Sequence, residues 1–286
     1  MTPELRDALR SSLGADVEHI RRLSGGDIND AFEVDLSDER RVFVKTHPRP
    51  PLGMFTAEAR GLEWLDEAQA LRIPRVLAVS DAKPAFLALE LLTPGTRQRD
   101  FDEVLGRSLA GLHRFGAPGF GLDEDNFIGR LPQWNRPTDD WATFYWSRRL
   151  EPQLRRGADR GLIGGSLLRR FSALERALPG LVAEEGASRL HGDLWGGNLH
   201  VDESGAPCLI DPAVYGGHRE VDLAMMQLFG GFGARVFEAY HEAYPLPTGA
   251  EERVSLYQLY PLLVHVNLFG SSYLRSVQRA LDGCGS

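Results

Sequence analysis

The sequence is short of lysine. Of its 32 basic residues only Lys45 and Lys83 are lysines, and the other 30 are arginines. A lysine kept in such a chain marks a position where a compact ammonium does what a guanidinium fork does not. Lys83 sits in the turn Asp81-Ala82-Lys83-Pro84 and makes no such case; Lys45, at the end of a strand, does. Cysteine is nearly absent. Cys208 and Cys284 are far apart, too few for a disulfide framework, and show no CxxC or Cys/His spacing of a zinc site. Cys208, in an apolar stretch, reads as a small core residue. Basic charge is in deficit, 32 residues against 40 acidic for a net charge of −8, the wrong sign for a protein that grips a nucleic-acid backbone. No apolar run approaches the roughly 20 residues of a membrane span, since the strongest, Ala85 to Leu92, is short and contains Glu90. The N-terminus lacks a signal-peptide core. The expectation is a cytoplasmic protein with no nucleic-acid and no membrane partner; monomer and homodimer both stay open.

Hydrophobic residues make up 43% and charged residues 25% of 286, enough for a packed core in two modest domains or one large one. The pattern changes along the chain. Met1 to Gly14 reads as an amphipathic helix, capped by Thr2, with Pro3 in its first turn and Gly14 at its end. Val17–Leu23, Ala31–Leu36 and Arg41–Thr46 alternate as half-buried strands do. A helix over about Thr56–Ala70, with Ala57, Gly61, Leu62 and Leu65 inward, precedes strands at Arg75–Val79 and Ala85–Leu91. Thr93-Pro94-Gly95 breaks the pattern and is the expected hinge. Helical periodicity then dominates: Phe101–Phe115, Trp141–Arg156, Ser166–Leu178, Val221–Leu228, Ala234–Tyr244 and Glu251–Leu281, interrupted by a strand–turn–strand at Leu199–Asp211. A strand-rich third before a helical two-thirds predicts an α+β fold of two lobes, residues 1–92 and 93–286.

The chemistry concentrates in His191-Gly192-Asp193-Leu194-Trp195-Gly196-Gly197-Asn198. Asn198 follows Asp193 by five positions, and Asp211 follows Asn198 by thirteen, after the apolar Cys208-Leu209-Ile210. Phosphoryl transfer needs a carboxylate at the attacking hydroxyl and oxygen ligands holding Mg²⁺ against nucleotide phosphates. A loop carrying Asp and Asn, then a hairpin returning a second Asp, supplies all three, in the form of the kinase catalytic loop. The spacing assigns Asp193 as the catalytic base and Asn198 and Asp211 as metal ligands. Ser24-Gly25-Gly26-Asp27-Ile28-Asn29, between two strands, is either a phosphate-covering hairpin, with Gly25 and Gly26 over the phosphates, or a plain turn. Lys45 ends Val42-Phe43-Val44-Lys45, a strand similar to the kinase Val-Ala-Ile-Lys element, and its expected partner is Glu58, which also suits a helix N-terminus. The backbone of Glu90 to Leu92 is placed to receive adenine. Asp222, in a helix first turn, either ties that helix to the catalytic loop or simply suits the helix end. His113 reads as a structural histidine. Trp195 offers an apolar face to a substrate. His265 and Trp134 read as packing groups that could also face a sugar.

The arrangement resembles the fructosamine kinase (ketosamine 3-kinase) family, within the aminoglycoside-phosphotransferase branch of protein-kinase-like folds. The likeness runs from about residue 15 to 275, through the segments above, Met54-Phe55-Thr56-Ala57-Glu58-Ala59, Asp125-Asn126-Phe127-Ile128-Gly129, and above all Leu209-Ile210-Asp211-Pro212-Ala213-Val214-Tyr215-Gly216-Gly217-His218-Arg219-Glu220. Trp195 and the Tyr-Gly-Gly-His-Arg-Glu run point to this family over choline or aminoglycoside kinases. The resemblance implies an antiparallel N-lobe sheet with one main helix, a larger helical C-lobe, and use of ATP and Mg²⁺. It implies phosphorylation of the 3-hydroxyl of a sugar joined through C1 to an amine, with deglycation as the outcome. Asp27 stands where some relatives carry Cys, so a thiol switch at that position is not available. Kinases for other small alcohols, and a nucleotide-binding pseudokinase, are the rival readings.

Overall fold

The computed structural model describes residues 1–23 and 29–284. The Gly25, Gly26 and Asp27 assignments therefore lie outside the described residues.

Helix α1 (Pro3–Leu13) begins at Thr2, whose hydroxyl accepts the Leu5 N–H, and ends at Gly14 in the left-handed region. Strands β1 (Val17–Leu23), β2 (Asp30–Leu36), β3 (Arg41–Thr46), β4 (Val76–Ser80) and β5 (Phe86–Glu90) form one antiparallel sheet in the order β1-β2-β3-β5-β4. Alternation decides which side chain goes where, because successive residues of a strand face opposite sides. Val42 and Val44 of β3, with Phe86 and Ala88 of β5, pack with Leu5, Leu9 and Leu13 of α1. The intervening Phe43, Leu87 and Leu89 join the core built on α2 (Met54–Asp66). Lys45 shares the register of Phe43 and so arrives on the α2 side.

The second core reaches beyond the sheet. Phe55, Leu62 and Leu65 of α2 share it with Leu105 and Leu109 of α3 (Phe101–Phe115) and with Leu194 and Leu209 beside the catalytic segment. The two lobes are thus joined by continuous apolar packing. The connection from β5 runs over the later hairpin, where Gly95 N–H donates to Val201 O at 3.1 Å. The helical lobe follows: a small hairpin of β6 (Asn126–Ile128) and β7 (Leu131–Gln133), then α4 (Trp141–Phe144), α5 (Glu151–Asp159) and α6 (Gly165–Leu181). Short strands β8 (Ser188–Leu190), β9 (Leu199–Val201), β10 (Pro207–Leu209) and β11 (Tyr215–Gly217) carry the motif loops. Helices α7 (Glu220–Phe229), α8 (Ala234–Ala243), α9 (Ala250–Phe269) and α10 (Leu274–Asp282) complete the lobe. Among the described residues no helix is long and apolar enough to cross a membrane.

Three sequence expectations need correction. The helix expected over Thr56–Ala70 runs Met54–Asp66 and buries Met54, Phe55, Ala59, Gly61, Leu62 and Leu65; of the expected stripe Ala57 alone departs, lining the inter-lobe cleft. The helix expected over Trp141–Arg156 is α-helical only at its ends, because Tyr145–Leu150 widens into π turns before Pro152. Proline has no N–H for the carbonyl a turn earlier, and here the Arg148 carbonyl accepts Arg149 Nη1 instead, at 3.2 Å. The helix expected over Glu251–Leu281 is two helices, broken at Gly270, whose φ of 98° a side chain would oppose. The β6–β7 hairpin and the β8–β11 pair were too short to show a period.

One buried group sets an acid limit on stability. His218 is fully buried beside Tyr257 and Trp141, and its nitrogens make no hydrogen bond to a described residue; the carboxylate oxygen Glu185 Oε2 is 3.4 Å from Nε2. Burial pushes its pKa down to about 4, with Glu185 opposing. The folded state therefore resists protonation that the unfolded chain accepts near the ordinary histidine pKa. This contribution is intact above pH ~6.5 and lost as pH falls to about 4, roughly 3 kcal/mol in all. Urea titrations at pH 7.5 and 4.5 should show the loss, and His218→Phe should show a smaller one.

Candidate active site

The site is assembled by the sheet, by α2 and by three backbone returns. Lys45, 8% exposed, places Nζ 2.8 Å from Glu58 Oε1 and 2.5 Å from Asp211 Oδ1. Glu58 lies in the second turn of α2, past the reach of the helix N-terminus, so the ion pair is its main interaction. Burial alone would lower the Lys45 pKa, but the Asp211 and Glu58 carboxylates outweigh it and raise it, keeping the ammonium charged. Burial raises Glu58 above the ordinary carboxylate range, with Lys45 opposing.

The loop that carries Asp193 leaves β8, and the segment after Asp211 enters β11. Those two strands pair with Leu190 opposite Tyr215, so their loops begin side by side. Ala213 N–H donates to His191 O at 2.9 Å. His191 Nε2 meets Ile210 O at 3.0 Å, while Asp193 N–H donates to His191 Nδ1 at 3.3 Å. Those partners fix the neutral tautomer with the proton on Nε2, and burial lowers the His191 pKa in the same sense. Gly192 has φ 79°, and a Cβ there would stand 2.0 Å from Ala213 O; only glycine allows the two strands to close this tightly.

Asp222 clamps the loop from behind. Its Oδ2 accepts His191 N–H at 2.8 Å and its Oδ1 accepts Gly192 N–H at 2.9 Å. His113 Nε2 reaches Oδ2 at 3.2 Å, and His113 Nδ1 meets Tyr240 OH at 2.8 Å. Of the two roles the sequence left open for Asp222, the tie to the catalytic loop is the one observed. Burial alone would raise the Asp222 pKa; the hydrogen bond and charge of His113, with His191 and the Gly192 N–H, hold it below the ordinary range.

Asn198 Nδ2 donates to Asp193 O at 2.8 Å, to Asp193 Oδ2 at 3.2 Å and to Asp211 O at 3.3 Å. The loop is thereby cross-braced, and Asp193, Asn198 and Asp211 all line one cleft of about 1010 Å³ that also holds Lys45 and Glu58. Asp211 has φ 55°, a left-handed backbone uncommon for aspartate. Burial pushes the Asp193 carboxyl up to about 7; the Asn198 hydrogen bond opposes, and Asp211 and Asp222 add to the rise.

Trp195, 43% exposed, lines the cleft, as does His265. His265 accepts no packing role alone: it stacks on Phe229 at 4.6 Å and lies 5.3 Å from Phe269 and 4.9 Å from Tyr273, centroid to centroid. Phe229, Phe269 and Tyr273 line the cleft with it. Sequence reasoning missed this aromatic wall, because Phe229 and Phe269 each end a helix and look like ordinary stripe residues. Trp134 does not line the cleft but a separate depression. The Glu90 carboxylate is held by Arg72 and Arg75, its N–H donates to Arg75 O at 3.0 Å, and neither Glu90 nor Leu92 is among the cleft-lining residues.

A polar network behind the cleft was also not foreseen. Asn126 Nδ2 donates to Val214 O at 2.8 Å and Gln133 Nε2 to Ala213 O at 3.0 Å, while Asn135 and the fully buried Arg149 hydrogen-bond around them. The hairpin β6–β7 thus holds the backbone just after Asp211.

Comparison with known proteins decides the family. The fructosamine kinase family model matches residues 1–285. The chain belongs to the fructosamine kinase family. A probable ketoamine kinase from Thermus thermophilus is 41% identical over 260 residues, covering 91% of this chain and 92% of that protein. A crystal structure described as a fructosamine-3-kinase from Thermobifida fusca superposes with a TM-score of 0.92 at 36% identity, covering 99% of each chain. An aminoglycoside phosphotransferase bound to AMP-PNP and hygromycin B gives a TM-score of 0.68 at 16% identity, with 99% of each chain covered. That last likeness concerns the fold alone, the two-lobed protein-kinase-like α+β architecture. Within the family, the clustering of Lys45, Glu58, Asp193, Asn198 and Asp211 is the arrangement the sequence spacing anticipated.

Proposed function

We propose that the chain transfers the γ-phosphoryl group of ATP to the 3-hydroxyl of a ketosamine, a fructosamine or ribulosamine, and so begins removal of the sugar from the amine. The observation that carries this reading is the meeting of Asp193, Asn198, Asp211 and Lys45 in one cleft whose other end is aromatic. Residues 1–92 act as the nucleotide lobe and 93–286 as the catalytic and acceptor lobe. Two free thiols, one buried, suit a cytoplasmic setting.

Asp193 orients the sugar O3 hydroxyl and takes its proton. The O3–P bond forms as the bond from the γ-phosphorus to the bridging oxygen breaks, and ADP leaves. A carboxyl titrating near neutrality is matched to that task. Asn198 gives its amide N–H groups to the loop, which leaves its oxygen for a cation; with the Asp211 carboxylate it offers a hard-oxygen pair of the kind Mg²⁺ takes together with nucleotide phosphates. Bound there, Mg²⁺ would neutralise phosphate charge. Lys45, braced by Glu58, contacts the α/β-phosphates. The backbone near Glu90 to Leu92, just outside the described cleft lining, receives adenine through groups other than the Glu90 N–H, which is already given to Arg75 O, and Gly25 and Gly26 cover the phosphates. Trp195 and His265, with Phe229, Phe269 and Tyr273, flank the acceptor. The protonated secondary amine of a ketosamine is a cation that such ring faces attract.

The same lining favours this acceptor over an aminoglycoside. The carboxylates among the described cleft residues are Glu58, Asp193 and Asp211, all at the phosphoryl end, and a polycation needs acidic groups at the acceptor end. An ADP-release panel of fructosyl-, ribulosyl- and erythrulosyl-amines beside aminoglycosides and choline is the test. Turnover is expected with the ketosamines; turnover confined to the other alcohols contradicts the acceptor. Tight nucleotide binding with no ADP release from any acceptor would instead favour a pseudokinase.

A further inference from the structure

We propose that a second depression, bordering the catalytic cleft but separate from it, is a binding site for a small anion bearing a phosphate group. The β6–β7 hairpin separates the two: Asn126 to Gly129 line the cleft, whereas Pro132 and, just after the hairpin, Trp134 line the depression. Its volume is about 800 Å³, within the range of small-molecule sites.

The charge in it runs against the chain. The protein carries −8 overall, yet five arginines line this depression against three carboxylates. Two of those carboxylates are already engaged: Asp125 Oδ1 accepts Asn135 N–H at 2.7 Å, and Glu151 pairs with Arg155 at 2.6 Å. Arg160 is fastened to the Asn267 carbonyl. The remaining three guanidiniums are left with donors. Arg148 gives only Nε, to Arg136 O at 3.1 Å. Arg136, exposed, and Arg156, half-buried, donate to no described residue. A half-buried guanidinium whose N–H fork has no partner among the described residues, and whose nitrogens are not sealed from solvent, keeps its donors free for a ligand. The Glu151–Arg155 pair illustrates the ordinary solvated helix face; Arg156 departs from it.

The three come from different pieces of chain. Arg136 follows the hairpin, Arg148 lies in the π-turn segment Tyr145–Leu150, and Arg156 lies in α5. A π segment turns the chain so that Arg148 faces the depression while its neighbour Arg149 is buried, and such insertions recur at functional sites. One fork answers a carboxylate, but several forks from several directions suit a tetrahedral anion with three free oxygens. The indole of Trp134, 44% exposed at the same depression, adds an apolar face beside the charge, fit for the carbon skeleton of a phosphorylated sugar or polyol. Free phosphate and a sugar phosphate share the recognised group.

The experiment uses the whole chain with its catalytic cleft saturated by a non-hydrolysable ATP analogue and Mg²⁺, so that phosphate binding there is blocked. At low ionic strength, calorimetric titration is run with inorganic phosphate in one arm and glucose 6-phosphate in the other. Saturable binding with one site per chain is expected, at least about tenfold weaker in Arg148→Ala/Arg156→Ala, with melting temperature and basal kinase activity unchanged. Equal affinity in both arms makes phosphate sufficient; tighter glucose 6-phosphate binding that Trp134→Ala abolishes adds the sugar face. Should the double variant fold poorly, Arg156→Gln alone must weaken binding. No saturable binding in either arm, or a variant that binds as the parent does, overturns the site.

Discussion

Asp193→Asn should lower kcat by roughly 10²–10⁴-fold while leaving nucleotide affinity nearly unchanged. The amide keeps the shape of the carboxylate and can still face the hydroxyl, but it cannot take a proton. Asn198 Nδ2 retains its bond to the Asp193 backbone oxygen, so the loop keeps its position. The Lys45–Glu58–Asp211 cluster contains no atom of residue 193. The pH profile separates a lost base from a lost shape. In the parent enzyme kcat/KM should rise with pH and level off above about 7, where burial has moved the Asp193 carboxyl. A dication near the carboxylate favours its charged form, so the corresponding limb of kcat should lie at lower pH. In the variant the acid limb should vanish. Steady-state kinetics across pH 5–9, with nucleotide binding measured separately, check both statements.

Asp222→Ala should destabilise the fold by about 3–5 kcal/mol, close to the whole stability of a marginal domain. Its carboxylate is fully buried and answers two backbone N–H groups and one imidazole. Removing it strands all three in a site without water access. Asp222→Asn keeps one acceptor oxygen but sets an NH2 group against an N–H or an imidazole, and should cost less than alanine. Both variants should also lower kcat, since His191 and Gly192 aim the chain into Asp193. Urea denaturation ranks the stabilities. A melting temperature for Asp222→Ala equal to that of the parent would show that the clamp is incidental.

The sequence made the phosphoryl end of the cleft legible because each group there announces itself locally. Lys45 is one of two lysines in an arginine-rich chain and ends an alternating strand. Asp193, Asn198 and Asp211 stand at spacings set by one loop and one hairpin, so their convergence needs no long-range guess. Glu58 followed from Lys45 as the acid on the helix after the strand, and the pair lies at 2.8 Å. The acceptor end was less legible. Phe229 meets His265 only through the packing of α7 on α9, Tyr273 reaches it from the turn after Gly270, and Phe269, one turn along α9 from His265, has nothing in its local period to distinguish it from a core aromatic. Arg149 is a similar case, since an arginine in a helical segment reads as surface until tertiary packing puts it under Tyr215 at 3.7 Å. The break at Gly270 and the π turns before Pro152 were signalled by glycine and proline, but a strong apolar period on both sides masked them.

The proposed reaction delivers phosphate to one particular oxygen of a ketosamine. The most direct test is ³¹P–¹H correlation NMR of the product formed from a fructosyl-amine and MgATP, recorded before it decomposes. A phosphorus coupled to H3 of the sugar, absent with Asp193→Asn over the same time, is the predicted result. Phosphate on another hydroxyl, or ADP appearing at the same rate without the fructosyl-amine, would contradict it.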